Sequence, residues 1–272
     1  MQTIDGKKVS EEIKNELRES VVLSGKKLKL GVFTIDPNGA VIQFTNLKKK
    51  FGEEVGVEVE IIKMVNETSQ EEAENALAKI IENSSGVVVQ LPMPAHIDIK
   101  RLINMVPKEK DVDVLSESAY LDFKNENNNK VFPPVVGAVK EIFEKYNIDL
   151  SGKKIAVVGR GQLVGMPVYD WLKSIGIDIG LFDINNQDLF LEQVKDFDVI
   201  ISGVGKSHMI TSDMVKDGVV LIDAGSSESS GKIVGDIDHS CSDKASYFSS
   251  VPGGVGPITV AILFRNLVEL NK

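Results

Sequence analysis

Two α/β domains are the fold class this sequence predicts, on three observations. Short apolar runs of strand length alternate with segments of helical periodicity through both halves of the 272-residue chain. The segment IAVVGRGQLVGMP, starting at Ile155, reads as a strand, a glycine turn and a helix start. Three more apolar runs, at 178–182, 198–202 and 219–224, follow it at α/β spacing. The length also allows a single large α/β domain.

In the first half, Ser10-Glu11-Glu12 opens a helical pattern with Ile13, Leu17 and Val21 on one face. Residues 28–34 read as a strand, and Asp36-Pro37-Asn38-Gly39 is a turn. A helix is expected over 40–56, with Gly56 as its stop. A strand follows at 57–64, then a helix at 69–83 with Glu72, Ala76 and Ile80 at i, i+4 spacing. Residues 86–90 form a buried strand that ends in Leu91-Pro92-Met93-Pro94. Parallel strands suit this alternation. The polar segment 124–130 is the clearest composition break and predicts an exposed loop, followed by a helix near 136–146.

In the second half, a strand running into Gly159-Arg160-Gly161 and then a helix presents backbone N–H groups to a pyrophosphate. The third glycine, Gly165, comes one residue later than the usual G-x-G-x-x-G spacing. The strand after it ends in Asp183, about where a dinucleotide domain places the carboxylate for the ribose hydroxyls. This half therefore reads as a Rossmann-type nicotinamide-dinucleotide domain. Its expected contacts are Gly159, Arg160, Gly161, Val164, Gly165 and Asp183, with Gly203, Val204 and Gly205 after the third strand. The last helical pattern, 258–270, follows the glycine-rich segment VPGGVGP that begins at Val251.

Composition narrows the function classes. The net charge of -9 argues against a nucleic-acid surface. The basic cluster Lys48-Lys49-Lys50 has the look of a solvated helix face. One cysteine, Cys241, excludes an intramolecular disulfide, and three scattered histidines (His96, His208, His239) give no metal-ligand spacing, so no metal is expected. The first residues have no apolar signal core and no run reaches membrane-spanning length. A cytoplasmic protein without a membrane or nucleic-acid partner is expected.

Four segments go beyond a generic dinucleotide fold: VQLPMP from Val89, KDVD from Lys110, the glycine turn, and VPGGVGPIT from Val251. In this order and spacing the chain resembles the bifunctional methylenetetrahydrofolate dehydrogenase/methenyltetrahydrofolate cyclohydrolase family over nearly its whole length. The resemblance implies an N-terminal folate and catalytic domain, 1–134 plus 256–272, to which the final helix returns. It implies a dinucleotide domain at 135–255 and a folate cleft between the two. The implied activity is NAD(P)-dependent oxidation of methylenetetrahydrofolate to methenyltetrahydrofolate, then hydrolysis to formyltetrahydrofolate. Homodimers are typical of the family.

Residue by residue, Lys48 matches the family's catalytic lysine, Gln90 the glutamine that tunes it, and Asp113 the aspartate that binds the pterin. A carboxylate suits the pterin edge, which offers an amino group and a ring N–H side by side. A lysine handling protons near neutral pH needs its pKa lowered. Phe44, Leu91, Pro92, Gly253, Gly254, Pro257 and Thr259 are the expected substrate contacts.

The chain departs from the family where Phe44 replaces a tyrosine, Val114 replaces a glycine, and VFPPVVG, from Val131, lacks the usual Cys-Thr-Pro pattern. Gly161 replaces a frequent serine. Alternatives follow from these changes: a dehydrogenase whose hydrolysis is weak or lost, or a non-catalytic dinucleotide- or folate-binding homologue. Asp183 repels a 2′-phosphate where NADP-using members carry a polar His-Ser pair, whereas Arg160 could bind that phosphate. NAD is expected over NADP on the Asp183 argument.

Overall fold

The computed structural model describes residues 1–125, 130–229 and 232–272. The chain divides into two compact units, one of residues 1–10 and 135–259, the other of residues 11–134 and 260–272. The first ten residues group with residues 135–259. The reason is a pairing between the chain's two ends: β1 (Gln2–Thr3) lies parallel to a strand near residue 248.

Helix α1 (Gly6–Ser24) starts four residues before Ser10. The Asp5 carboxylate accepts the Lys8 amide at 3.0 Å and caps the helix there. Next come β2 (Lys29–Ile35), α2 (Gly39–Val55), β3 (Glu58–Met64), α3 (Gln70–Asn83) and β4 (Gly86–Val89). Two short helices, α4 (Ile99–Met105) and α5 (Glu117–Asn125), had no expected counterpart. Residues 124 and 125 of the expected loop end α5, and 126–129 lie outside the described residues.

The strands order as β3-β2-β4, all parallel. On α2, Asn38 accepts the Val41 amide at 3.0 Å, and Gly56 takes the left-handed conformation that ends the helix. Ser69 and Glu72 form a capping box on α3, so the inward face is Ala73, Leu77 and Ile80 rather than Glu72, Ala76 and Ile80. That face packs with Phe33, Ile35, Val87 and Val89 on one side of the sheet. The even-numbered residues of β2 point to the other side. Burying side chains of this size contributes about 1.5–3 kcal/mol each, so both faces are well anchored.

The dinucleotide half runs α6 (Pro134–Lys145), β5 (Ile155–Val158), α7 (Gly165–Ser174), β6 (Ile179–Phe182), α8 (Gln187–Gln193), β7 (Val199–Ser202) and β8 (Val220–Asp223). An antiparallel pair, β9 (Ser227–Ser229) and β10 (Lys232–Val234), precedes β11 (Tyr247–Ser249). The parallel sheet orders as β1-β11-β8-β7-β5-β6. The chain leaves β5 outward to β6 and returns past it to β7, so the strand order reverses between β5 and β7. Ligands of open α/β sheets bind at such reversal points, outside the carboxyl ends of the strands.

Helix α9 (Val255–Leu270) begins three residues before its expected start and takes in Gly256 and Pro257. A proline in a first helical turn has no backbone hydrogen bond to lose. Its later residues return to the first half, as expected. The Phe264 ring lies 4.9 Å from that of Phe51, and Asn266 Nδ2 donates to the carbonyls of Val112 and Phe132 at 2.9 and 2.7 Å. No helix among the described residues is long and apolar enough to cross a membrane.

Candidate active site

Lys48 is the first expected site residue that the structure sets apart from its neighbours. Lys49 and Lys50 are exposed on α2, whereas Lys48 is buried, with 7% of its surface accessible. Four residues earlier on the helix, Phe44 is half-buried. The Lys48 Nζ donates to Gln90 Oε1 at 2.5 Å, and Gln90 Nε2 donates to the Leu91 carbonyl at 2.9 Å. The second bond fixes which end of the amide faces the lysine. Gln90 itself is held where β4 ends, its backbone N–H donating to the Phe33 carbonyl at 2.8 Å. Burial pulls the Lys48 pKa below the usual lysine value, against an opposing pull from the Asp113 carboxylate.

Asp113 lies in the loop that starts where Asp111 bridges to Val87 of β4. No protein donor reaches its carboxylate among the described residues, which leaves both oxygens available to a ligand. Burial pushes its pKa up to about 6, with Lys48 pulling it down and Asp111 pushing it further up. Asp111 and Asp113 share a small cavity whose apolar wall includes Val89, Ile103 and Leu115. Asp111 is the buried member, and it accepts the amides of Leu115 and Ser116 at 3.0 and 2.7 Å. That turn carries Val114 at a φ of 56°. A β-branched residue seldom adopts this left-handed conformation, so a glycine is the natural occupant.

Leu91 packs against the core beside α3, and Pro92 is exposed after a cis Leu91–Pro92 bond. Thr34 went unnoticed in the sequence. Its side chain is fully buried on β2, and its hydroxyl has no hydrogen-bond partner among the described residues. Phe33 pairs with Val89, so the next residues along, Thr34 and Gln90, point to the same side of the sheet.

In the other unit, the glycines explain the crevice at the strand-order reversal. A Cβ on Gly159 would lie 2.6 Å from the Gly203 carbonyl oxygen, and φ there is +107°. A Cβ on Gly165 would lie 1.9 Å from the Gly159 oxygen, so the late third glycine seats α7 directly on the turn. At Gly161 nothing lies within 4 Å, which leaves room for the serine common elsewhere. The residue before α7, Val164, offers no side-chain cap; the Met166 amide donates to the Gly161 carbonyl at 3.1 Å and Pro167 has no N–H, which leaves the Gly165 amide of the first turn without a partner among the described residues. Gly203, Val204 and Gly205 form the loop after β7, with Val204 exposed. A nicotinamide dinucleotide fits this cradle by the close approach its glycines allow and by the Gly165 amide, left without a partner among the described residues.

Arg160 and Asp183 do not act separately. Arg160 Nε lies 3.0 Å from Asp183 Oδ2, and the other carboxylate oxygen accepts the Asn185 amide at 2.8 Å. The guanidinium is thus held by the carboxylate it was expected to oppose.

Gly253 and Gly254 have a structural use: the Gly6 amide donates to the Gly253 carbonyl at 3.0 Å, and a Cβ on Gly6 would strike the Gly254 oxygen. Pro257 is partly buried in the first turn of α9, and the Thr259 hydroxyl donates to the Val255 carbonyl at 3.1 Å.

Comparison with known proteins covers the whole chain. Residues 4–113 match the model of the tetrahydrofolate dehydrogenase/cyclohydrolase catalytic domain, and residues 133–272 match that of the NAD(P)-binding domain of the same family. The bifunctional protein FolD of Nautilia profundicola is 36% identical over 100% of this chain and 98% of its own length. The crystal structure of the bifunctional methylenetetrahydrofolate dehydrogenase/cyclohydrolase FolD of Campylobacter jejuni is 32% identical with a TM-score of 0.90, covering 99% of this chain and 98% of that one. The Trypanosoma brucei enzyme, solved with NADP cofactor and an inhibitor, is 27% identical with a TM-score of 0.92, covering 99% and 96%.

Proposed function

The chain belongs to the tetrahydrofolate dehydrogenase/cyclohydrolase family, and we propose that it oxidises methylenetetrahydrofolate to methenyltetrahydrofolate and hydrolyses that product to formyltetrahydrofolate. The observation that carries this reading is the buried Lys48 amine, bonded to Gln90 and acted on by an unpartnered Asp113. A nicotinamide dinucleotide bound at the 159–165 turn would supply the acceptor for the hydride lost from the methylene carbon in the first step. Asp113 holds the pterin edge through its two free oxygens and orients that carbon. In the second step water adds to the methenyl carbon and the Lys48 amine takes the proton released; the new hydroxyl's proton then passes to one of the two folate nitrogens as that nitrogen's bond to the carbon breaks, leaving the formyl group on the other. Burial, which lowers the amine's pKa, favours the uncharged form that can do this. Gln90 places the amine without adding charge to it.

NAD is the preferred dinucleotide in this reading. The Asp183 carboxylate repels a 2′-phosphate, and its pairing with Arg160 occupies the guanidinium that would otherwise attract one. A homodimer in the cytoplasm completes the proposal. Sedimentation at micromolar concentration tests the first part, and a monomer there contradicts it.

Phe44 favours a second reading, a dehydrogenase with a weak hydrolytic step. It keeps the ring beside Lys48 but offers no hydroxyl, and a lost hydrogen bond to a charged group costs about 1.5–3 kcal/mol. One assay separates the two. Purified protein is given methylenetetrahydrofolate with NAD, then with NADP, while reduced dinucleotide and methenyl product are followed separately. Reduction without methenyl accumulation supports the bifunctional reading. Accumulation supports the second reading, and no reduction with either dinucleotide contradicts both.

A further inference from the structure

We infer that Asp236 is a positioning residue for dinucleotide binding: it holds the 203–206 loop in its binding shape before any ligand arrives. Its carboxylate is fully buried and collects three donors from one short stretch of chain. The Ser202 hydroxyl and the Val204 amide donate to Oδ2 at 2.8 and 2.7 Å, and the Lys206 amide donates to Oδ1 at 2.8 Å. An anion held by backbone N–H groups of one short loop normally belongs to a ligand. Here the protein supplies it.

The device has its own support. Asp223, at the end of β8, accepts the amides of Asp236 and Ile237 at 3.1 and 2.9 Å and fixes the segment that carries the anion. Both carboxylates need room that only glycine leaves. A Cβ on Gly225 would lie 2.1 Å from Asp236 Cγ, and one on Gly235 would lie 2.0 Å from Asp223 Oδ2. The 203–206 loop in turn shapes the crevice, because a Cβ on Gly203 would strike Val164 at 2.2 Å and the Gly203 carbonyl abuts Gly159. Fixing the loop in advance removes the ordering cost from binding.

The inference rests on the reading of residues 203–205 as part of the dinucleotide site. Asp236→Asn tests it with little change in shape. The amide has one acceptor oxygen, so at least one loop N–H must face an NH2 group. Titration with reduced NAD, followed by its fluorescence, is expected to show affinity about tenfold weaker than in the native protein. The KM for NAD rises in proportion while kcat at saturating NAD changes little, a split that general loosening of the fold does not produce. Ser202→Ala, which removes one donor and keeps both amides, is expected to weaken binding a few-fold; it decides the matter if the first variant does not fold. Native affinity in a folded Asp236→Asn protein, or in Ser202→Ala where that variant fails to fold, overturns the inference alone. Failure of the native protein to bind reduced NAD overturns the dinucleotide reading with it.

Discussion

Lys48 Nζ and Gln90 Oε1 lie 2.5 Å apart, joining the middle of α2 to the end of β4 through a neutral acceptor. Neutrality matters, because a carboxylate in that place would favour the charged amine. Gln90→Glu is expected to raise the lysine's pKa. Hydrolysis of the methenyl compound at pH 7 then falls, by about tenfold or more, and recovers as pH rises. A pH–rate profile of the variant beside the native protein checks the direction.

In the proposed mechanism Asp113 sets the acid limit of substrate binding. Its pKa of about 6 in the folded protein lies above the ordinary aspartate value, so the carboxyl is ionised above pH 6 and protonated below it. Protonation removes one of its two acceptors. The KM for the folate substrate is therefore expected to rise as pH falls through about 6. Asp113→Asn should show a high KM with no such inflection.

The same raised pKa has a sign for stability. Folding strengthens proton binding at Asp113, so its contribution favours the folded state below the unfolded value near 4 and fades as pH rises through about 6. The group therefore holds its charge at some expense of stability, as expected of a site residue.

The Arg160–Asp183 pair predicts a change of dinucleotide preference. Asp183→Ser removes the repelling carboxylate and frees the guanidinium 3.0 Å away. The ratio of kcat/KM for NADP to that for NAD should rise about tenfold or more. An unchanged ratio would show that neither residue reaches the ribose.

Val114 predicts an inverted stability order. At an ordinary buried site glycine is about 0.5–1 kcal/mol worse than alanine. At a φ of 56°, Val114→Ala keeps the strained Cβ and loses two buried methyl groups, and should cost about 1–2 kcal/mol. Val114→Gly loses more packing but relieves about 1–3 kcal/mol of strain, so it should match or exceed the alanine variant. Urea unfolding of the three proteins measures the order.

Much of this was legible before the structure, and the reasons are local. Asn38 and Gly56 bracket α2, Ser69 caps α3, and the glycines at 159, 161 and 165 mark the turn, because capping and left-handed turns favour particular residue types. Periodicity exposed the long helices, each of which buries one face. It failed for α4, too short to display a period, and for Glu72, whose part in a cap looked like part of a stripe. Pairings between distant residues leave no such trace. Thus β1 beside β11, Arg160 on Asp183, and Asp236 under the 203–206 loop each join segments at least 20 residues apart. The family resemblance singled out Lys48 from a run of three lysines; its burial and its bond to Gln90 give the physical grounds.

In the proposed mechanism the buried amine of Lys48 performs the hydrolysis. Lys48→Met keeps an apolar stem of similar length in the helix and removes the amine. Decay of methenyltetrahydrofolate should fall to its spontaneous rate in this variant, while the affinity for reduced NAD stays as in the native protein. Hydrolysis at the native rate would contradict the account and move the proton transfer to another residue.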